Sequence, residues 1–250
     1  MSPRPCKRLR LDLLLGLLAL LLAVLPGRAE AQSIADQLTA CKNESSSVEK
    51  RIEACTQLLG AASDEEIRIE GYFQRGVLHE QTGDREAAIK DYGEIIKLDP
   101  TNSVAYFNRG NAYDQLGDHD LAIADYTEAI KLDPKDPDIF NNRGQAYDYT
   151  GKPDLAIADY SESIRLEADN PRAFFNRGLS YASKGDFKRA LDDLNQAIKL
   201  APGDADVYVS RGMVHEELGN EAAARADYRK AREIEPDHSE AGEALERLGK

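Results

Sequence analysis

Tryptophan is absent from this chain of 250 residues, methionine occurs twice, cysteine three times and histidine four times. Aromatic residues make up only 7%, and most of them are Tyr. These shortages exclude much chemistry. No HExxH pair joins His79, His119, His215 and His238, and Cys41 and Cys55 have no His at metal-ligand spacing, so no metal centre is expected. GxSxG and GxxxxGK[ST] are also missing, which removes the nucleophile elbow and the phosphate cradle. The Gly-Asp steps lack the alternating acidic run of a calcium loop. The expectation is therefore a protein that is not an enzyme and carries no cofactor. Basic residues are scarce as well: 32 Lys and Arg stand against 45 Asp and Glu, a net charge of −13. Affinity for nucleic acid comes mainly from cations that neutralise phosphates, so no nucleic-acid partner is expected.

Long apolar runs are limited to one. Residues 13–25, LLLGLLALLLAVL, follow Arg4, Lys7, Arg8 and Arg10 and precede Pro26, Gly27 and the small residues Ala29 and Ala31. This is the three-part pattern of a secretory signal peptide, with cleavage expected after Ala31. As a helix the run reaches about 20 Å, short of a bilayer core; an uncleaved N-terminal anchor is the alternative. Losing residues 1–31 removes five basic and two acidic groups, leaving 27 basic against 43 acidic residues and a net charge of −16. No membrane span is expected in the mature chain. Cys6 leaves with the signal. Cys41 and Cys55 remain as an even pair in an exported chain, where oxidising conditions favour a disulfide worth about 3 kcal/mol in the chain-entropy model. Two buried thiols in a helix pair are the competing reading.

What the chain has in abundance is itself. FNRGNAYDQLGDHDLAIADY (107–126) returns as NNRGQAYDYTGKPDLAIADY (141–160), as FNRGLSYASKGDFKRALDDL (175–194) and as VSRGMVHEELGNEAAARADY (209–228); FQRGVLHEQTGDREAAIKDY (73–92) precedes them. With the Gly of "RG" at unit position 8, 34-residue units begin at Ile69, Ser103, Pro137, Pro171 and Ala205. Positions 4, 8 and 11 share one helical face, as do 20, 24 and 27, so each unit reads as two amphipathic helices, A and B. The position-15 glycines (Gly83, Gly117, Gly151, Gly185, Gly219) suit a left-handed turn between them. Gly at position 8 and Ala at position 20 let the two helices approach closely. Asn102, Asp136, Asn170 and Asp204 are placed to cap helix A, with Pro137 and Pro171 at the first helical position.

Small residues and aromatics at a 34-residue period, with Pro100, Pro134, Pro202 and Pro236 near the unit ends, resemble the tetratricopeptide repeat (TPR) over residues 69–236. Ala168 departs from the Pro, and Arg occupies position 7, where the family often has Leu. The resemblance implies an all-α fold, a right-handed α-solenoid of stacked antiparallel helix pairs. The expected organisation is a signal peptide (1–31), a degenerate N-terminal helical hairpin (32–66) with Ser46 and Glu49 as a capping box, five TPR units (67–236) and a C-terminal capping helix (237–250).

Two ladders run through the units. Position 7 is always Arg and position 23 always Asp, which reads as a repeated ion pair between helix A and helix B rather than a row of arginines for an anionic ligand. The second ladder concerns the concave groove, which in TPR proteins is lined by helix A positions 2, 5, 6, 9, 12 and 13. Carried over, these positions give Phe73, Phe107, Asn141, Phe175 and Val209 at position 5, and Asn108, Asn142 and Asn176 at position 6. Asn111, Gln145, Asp114 and Asp148 follow at positions 9 and 12, and Tyr149 at position 13. A row of Asn offers donors and acceptors to the backbone of an extended peptide, with Phe supplying apolar contact. Hydrogen bonding between helices is the alternative use of the same amides. The resemblance implies a protein or peptide partner, neutral to basic in charge, bound in the groove by an exported, periplasmic adaptor. A scaffold using its ends or convex face, and a non-catalytic accessory subunit of an envelope enzyme, are the alternatives.

Overall fold

The computed structural model describes residues 27–249, with side chains described from residue 32 onward. The basic segment and apolar run at residues 1–26 lie outside the described residues, and the expected cleavage point after Ala31 falls within the span of α1. Among the described residues there are thirteen helices and no strand. They are α1 (Gly27–Lys42), α2 (Val48–Ala61), α3 (Glu65–Thr82), α4 (Arg85–Leu98), α5 (Ser103–Leu116), α6 (His119–Leu132), α7 (Pro137–Tyr149), α8 (Pro153–Leu166), α9 (Pro171–Ser183), α10 (Phe187–Leu200), α11 (Ala205–Glu217), α12 (Glu221–Ile234) and α13 (Ser239–Leu248). The chain divides into two compact units, the first ending at Pro134 and the second beginning at Lys135. In each, successive helices pack as pairs and each pair packs on the next. No described helix is long and apolar enough to cross a membrane.

The repeat dictates this architecture through its turns. All five position-15 glycines hold positive φ, from 70° to 85°, the left-handed region where a Cβ would be strained. The Gly83 amide donates to the Glu80 carbonyl (3.0 Å) and the Asp84 amide to the His79 carbonyl (2.9 Å), the pair of bonds that closes a Schellman turn. Gly117, Gly151, Gly185 and Gly219 repeat it. The residue after each glycine is already the N-cap of helix B: Asp84 and Asp186 accept from the amides of Ala87 and Arg189. A single glycine separates α3 from the cap of α4 and α5 from the cap of α6, and one further residue precedes the glycine in the other three pairs. The helix A caps form as expected: Asn102, Asp136, Asn170 and Asp204 each accept a first-turn amide, worth about 1 kcal/mol apiece.

Packing within a pair explains the position-8 glycine. A Cβ on Gly144 would sit 2.7 Å from the Tyr160 ring, and one on Gly212 would sit 2.7 Å from Tyr228. The position-24 side chain of helix B packs against the helix A backbone, each Tyr presenting one ring edge to the glycine, and Tyr92, Tyr126, Tyr160, Leu194 and Tyr228 are all buried there. Gly178 faces the smaller Leu194, 3.1 Å from its would-be Cβ.

The N-terminal hairpin is α1 and α2, tied by a Cys41–Cys55 disulfide with both cysteines fully buried against Leu78. The expected capping box is not formed. Ser47, not Ser46, is the N-cap of α2, and its side chain makes no cap hydrogen bond. The preceding residues are drawn into a tight turn in which the Ser45 amide donates to the Asn43 side chain, which places the helix start one residue later. At the other end α13 closes the last pair, with Ala241 and Ala244 packed on Tyr228 and Ala231.

Candidate functional site

The position-7 arginines are framework. In every repeat the guanidinium grips the position-23 carboxylate of its own pair with two hydrogen bonds. These are Arg75–Asp91 (2.8 and 2.7 Å), Arg109–Asp125 (2.7 and 2.7 Å), Arg143–Asp159 (2.7 and 2.8 Å), Arg177–Asp193 (2.7 and 2.8 Å) and Arg211–Asp227 (2.9 and 2.6 Å). All five Asp residues are buried. Each guanidinium also lies against one or two aromatic rings one turn away, as Arg177 does between Phe174 (5.7 Å) and Tyr181 (5.9 Å). The hydrogen bond from Arg177 to Asp193 raises the arginine's already high pKa. These arginines are therefore not open to an anionic ligand.

A second framework ladder claims residues that the sequence had offered to a partner. The position-24 hydroxyl donates to an inner-face acceptor of its own pair: Tyr126 to Asn111 (2.8 Å), Tyr160 to Asp148 (3.0 Å), and Tyr228 to Glu216. Asp148 also accepts from Ser180 (2.6 Å), and burial raises its pKa even though both hydroxyls oppose the shift. Asp114 pairs with His119 at 2.8 Å.

The Asn ladder is occupied in the same way. Asn108, Asn141 and Asn142 are buried, and Asn176 is half-buried. In the second unit Arg172 reaches back from α9 to α7, where its Nη2 donates to the Asn142 carbonyl oxygen at 3.0 Å. With its amide turned toward Arg172, Asn141 accepts from Arg172 Nε (3.0 Å) and Nη2 (2.9 Å), and its nitrogen then lies 3.2 Å from the Asn176 amide nitrogen. Phe73 and Phe107 are buried against Tyr92 and Tyr126, with ring centroids 6.5 and 6.0 Å apart, while Phe175 is half-buried. The structure therefore brings the expected groove residues to the helix A faces, but it places most of them inside.

Of the groove residues read from the sequence, Tyr149 on α7 is 63% exposed, and two further exposed residues had not been singled out. Leu179 on α9 and Met213 on α11 both occupy unit position 9, on helices that touch, and each is 40% exposed. Position 9 reads Val77, Asn111, Gln145, Leu179 and Met213 along the units, so the repeat by itself does not mark the last two as exposed. Among the described residues no cluster of His, Cys, Asp or Glu could hold a metal ion.

Family models described as tetratricopeptide repeat or TPR repeat match residues 69–102, 92–124, 110–148, 141–205 and 178–239, which together span 69–239. The chain belongs to the tetratricopeptide repeat family. Solved TPR structures resemble it. A MamA protein is 26% identical with a TM-score of 0.63, over 68% of this chain and 92% of its own. MamA from Desulfovibrio magneticus RS-1 is 17% identical with a TM-score of 0.65, over 69% and 97%. YrrB, described as a TPR protein with an unusual peptide-binding site, is 24% identical with a TM-score of 0.64, over 78% and 99%. A search of curated protein sequences returns no match. The TPR fold is a scaffold for protein–protein interaction, and repeat proteins of this kind are generally non-catalytic.

One inner-face carboxyl in this TPR array carries a measurable consequence. Burial raises the Glu80 pKa from 4.5 to about 7, against weaker opposing effects from the Tyr92 hydroxyl and Arg85. The folded protein therefore holds a proton at Glu80 that the unfolded chain has released between about pH 4.5 and 7, so this group's contribution to stability falls as pH rises through that window. Glu80→Gln should flatten that slope. At pH 8 it should stabilise the protein by about 1–2 kcal/mol, after discount for the solvent that still reaches the group. Urea melts of both proteins at pH 5 and pH 8 check this; parallel pH profiles would refute it.

Proposed function

We propose that this chain is an exported adaptor that holds a segment of a partner protein along the helix A face of its second unit. The observation that carries the reading is the pair Leu179 and Met213. Both are 40% exposed on helices that touch, with half-buried Phe175 one turn before Leu179 on α9, and Tyr149 on α7 of the same unit is 63% exposed. Glu217 lies one turn beyond Met213 on the same helix, beside Glu216, which Tyr228 and Arg247 already hold, and Asn176 lies one turn before Leu179. Apolar contact beside a carboxylate suits a partner segment that is apolar on one side and neutral to basic on the other. Export is supported by the signal-like N-terminus, and a disulfide between two fully buried cysteines suits an oxidising compartment such as the periplasm.

The test uses the mature chain, residues 32–250, and its Leu179→Asp/Met213→Asp variant as baits against extract from the native compartment. The wild type should retain a defined protein with at least tenfold greater yield than the variant, because a buried carboxylate at each apolar contact disfavours the complex. Equal retention would overturn the assigned face. Sedimentation of the free chain separates a foreign partner from a second copy: a mass that grows with concentration and is lost in the variant would show self-association through this face instead.

A further inference from the structure

Sulfur is scarce in this chain, and its placement is uneven. Residues 32–250 hold three sulfur atoms, on Cys41, Cys55 and Met213. The first two are joined in the disulfide, and both cysteines are fully buried. They are therefore already oxidised and shielded from solvent. Met213 carries the one reduced sulfur of the segment, on a side chain that is 40% exposed. Peroxides attack reduced sulfur, and more readily where it is accessible. In an oxidising compartment such as the one proposed for this chain, they meet a single such target. That target stands on the face assigned above to a partner.

The surroundings of Met213 decide what its oxidation changes. The residues on either side of it lock α11 into the array. Arg211 holds Asp227, Gly212 backs onto the Tyr228 ring, and Val214 is buried. Met213 itself joins neither apolar cluster that α11 feeds, one built round Tyr208 and Val209 and the other round Val207 and Val214. Its sulfur is thus outside the core. Leu179 holds the same unit position on the neighbouring α9, so a side chain without sulfur fills this place on the face. Leu and Met have similar volumes and exchange at little cost. What sets Met213 apart is a thioether that an oxidant converts into a polar group.

We propose that Met213 is an oxidative modification site that weakens the partner face and leaves the fold intact. The step is a two-electron oxidation by hydrogen peroxide. The Sδ lone pair attacks one peroxide oxygen, an S–O bond forms and the O–O bond breaks. The transferred oxygen gives its proton to the departing hydroxide, so the thioether becomes a sulfoxide and one water leaves. The sulfoxide oxygen is a polar acceptor set where the partner needs apolar contact, and burying it there unpaired is unfavourable. Methionine sulfoxide is also the form that reductases return to the thioether, so the change is reversible. The proposal rests on the assignment of Leu179 and Met213 to the partner face.

Dilute hydrogen peroxide, destroyed with catalase before any binding step, tests it on the chain with its disulfide intact. Peptide mass spectrometry should place one added oxygen on Met213, at a rate within about threefold of that of free N-acetylmethionine. A rate more than about tenfold slower would overturn Met213 as an accessible site. Urea midpoints of treated and untreated protein should coincide, and a lowered midpoint would overturn the claim that the fold is spared. For binding, the probe is the protein band held by the untreated bait in the retention assay above. Treatment should cut wild-type retention about fivefold, whereas Met213→Leu should hold as much after treatment as before it. A wild type oxidised at Met213 that keeps its retention would overturn this proposal and leave the face standing, and an equal loss in Met213→Leu would overturn Met213 as the cause. Equal retention by wild type and Leu179→Asp/Met213→Asp would instead remove the face on which the proposal depends.

Discussion

Arg177→Met should unfold the protein's second unit about 3 kcal/mol more readily than the wild type, whereas Arg177→Met/Asp193→Leu should recover most of that loss. The guanidinium of Arg177 makes two hydrogen bonds to Asp193, a third to Ser161, and stacks between Phe174 and Tyr181. Removing it leaves a carboxylate that is 9% exposed without its countercharge, the costly half of breaking such a pair. Arg177 keeps 19% exposure, so the effect belongs at the lower end of the range for buried pairs. Replacing both partners by apolar side chains leaves no orphaned charge, and the apolar replacements can use the aromatic slot. Chemical denaturation of the four proteins in a double-mutant cycle gives the coupling directly. A double variant no more stable than the single would mean that the aromatic slot and the Ser161 bond, and not the ion pair, carry the stability.

The second large effect lies at the N-terminus. Cys41→Ala/Cys55→Ala should destabilise the α1–α2 hairpin by about 3 kcal/mol, the loop-closure contribution of a bridge with sequence separation 14. The hairpin has little else to hold it: its cores are Leu38, Leu58 and Ala62, and the two cysteines against Leu78. Arg51 and Arg75 add single bonds, to the Cys41 carbonyl (3.1 Å) and to Thr56 (3.0 Å). A stacked array interacts mainly through nearest neighbours, so the loss should stay local. Hydrogen exchange should show α1 and α2 losing protection while α9–α12 keep theirs. Uniform loss along the chain would mean that the hairpin nucleates the whole array rather than capping it.

The repeat made the frame readable because the same constraint is stated five times. A glycine that must adopt positive φ, a capping Asn or Asp, and an Arg sixteen residues before an Asp each recur at fixed positions, and chance does not do that. The inner face was harder to read. Asn108, Asn142 and Asn176 look alike in the sequence, yet Asn142 is claimed by Arg172, Asn176 meets Asn141, and Asn108 is bonded to neither kind of group. The partner of each amide comes from a residue about thirty positions away, and no local pattern announces it. Phe73 and Phe107 mislead for a related reason. Position 5 borders the groove, but a large ring there is captured by the Tyr of helix B. Leu179 and Met213 share position 9 with Val77, Asn111 and Gln145, so their exposure is read from the packing and not from the repeat.

The closed glycine turn between paired helices leaves no slack. Adding one residue between Gly117 and Asp118 would rotate α6 by about 100° about its axis and swing Tyr126 and Asp125 away from Gly110 and Arg109. The connections from one pair to the next, such as 99–102, lie outside the closed Schellman turns. Length variation in this chain is therefore confined to those outer connections and to whole 34-residue steps. Grafting, tagging or splitting of the array should be cut at 99–102, 133–136, 167–170 or 201–204, never at the glycines.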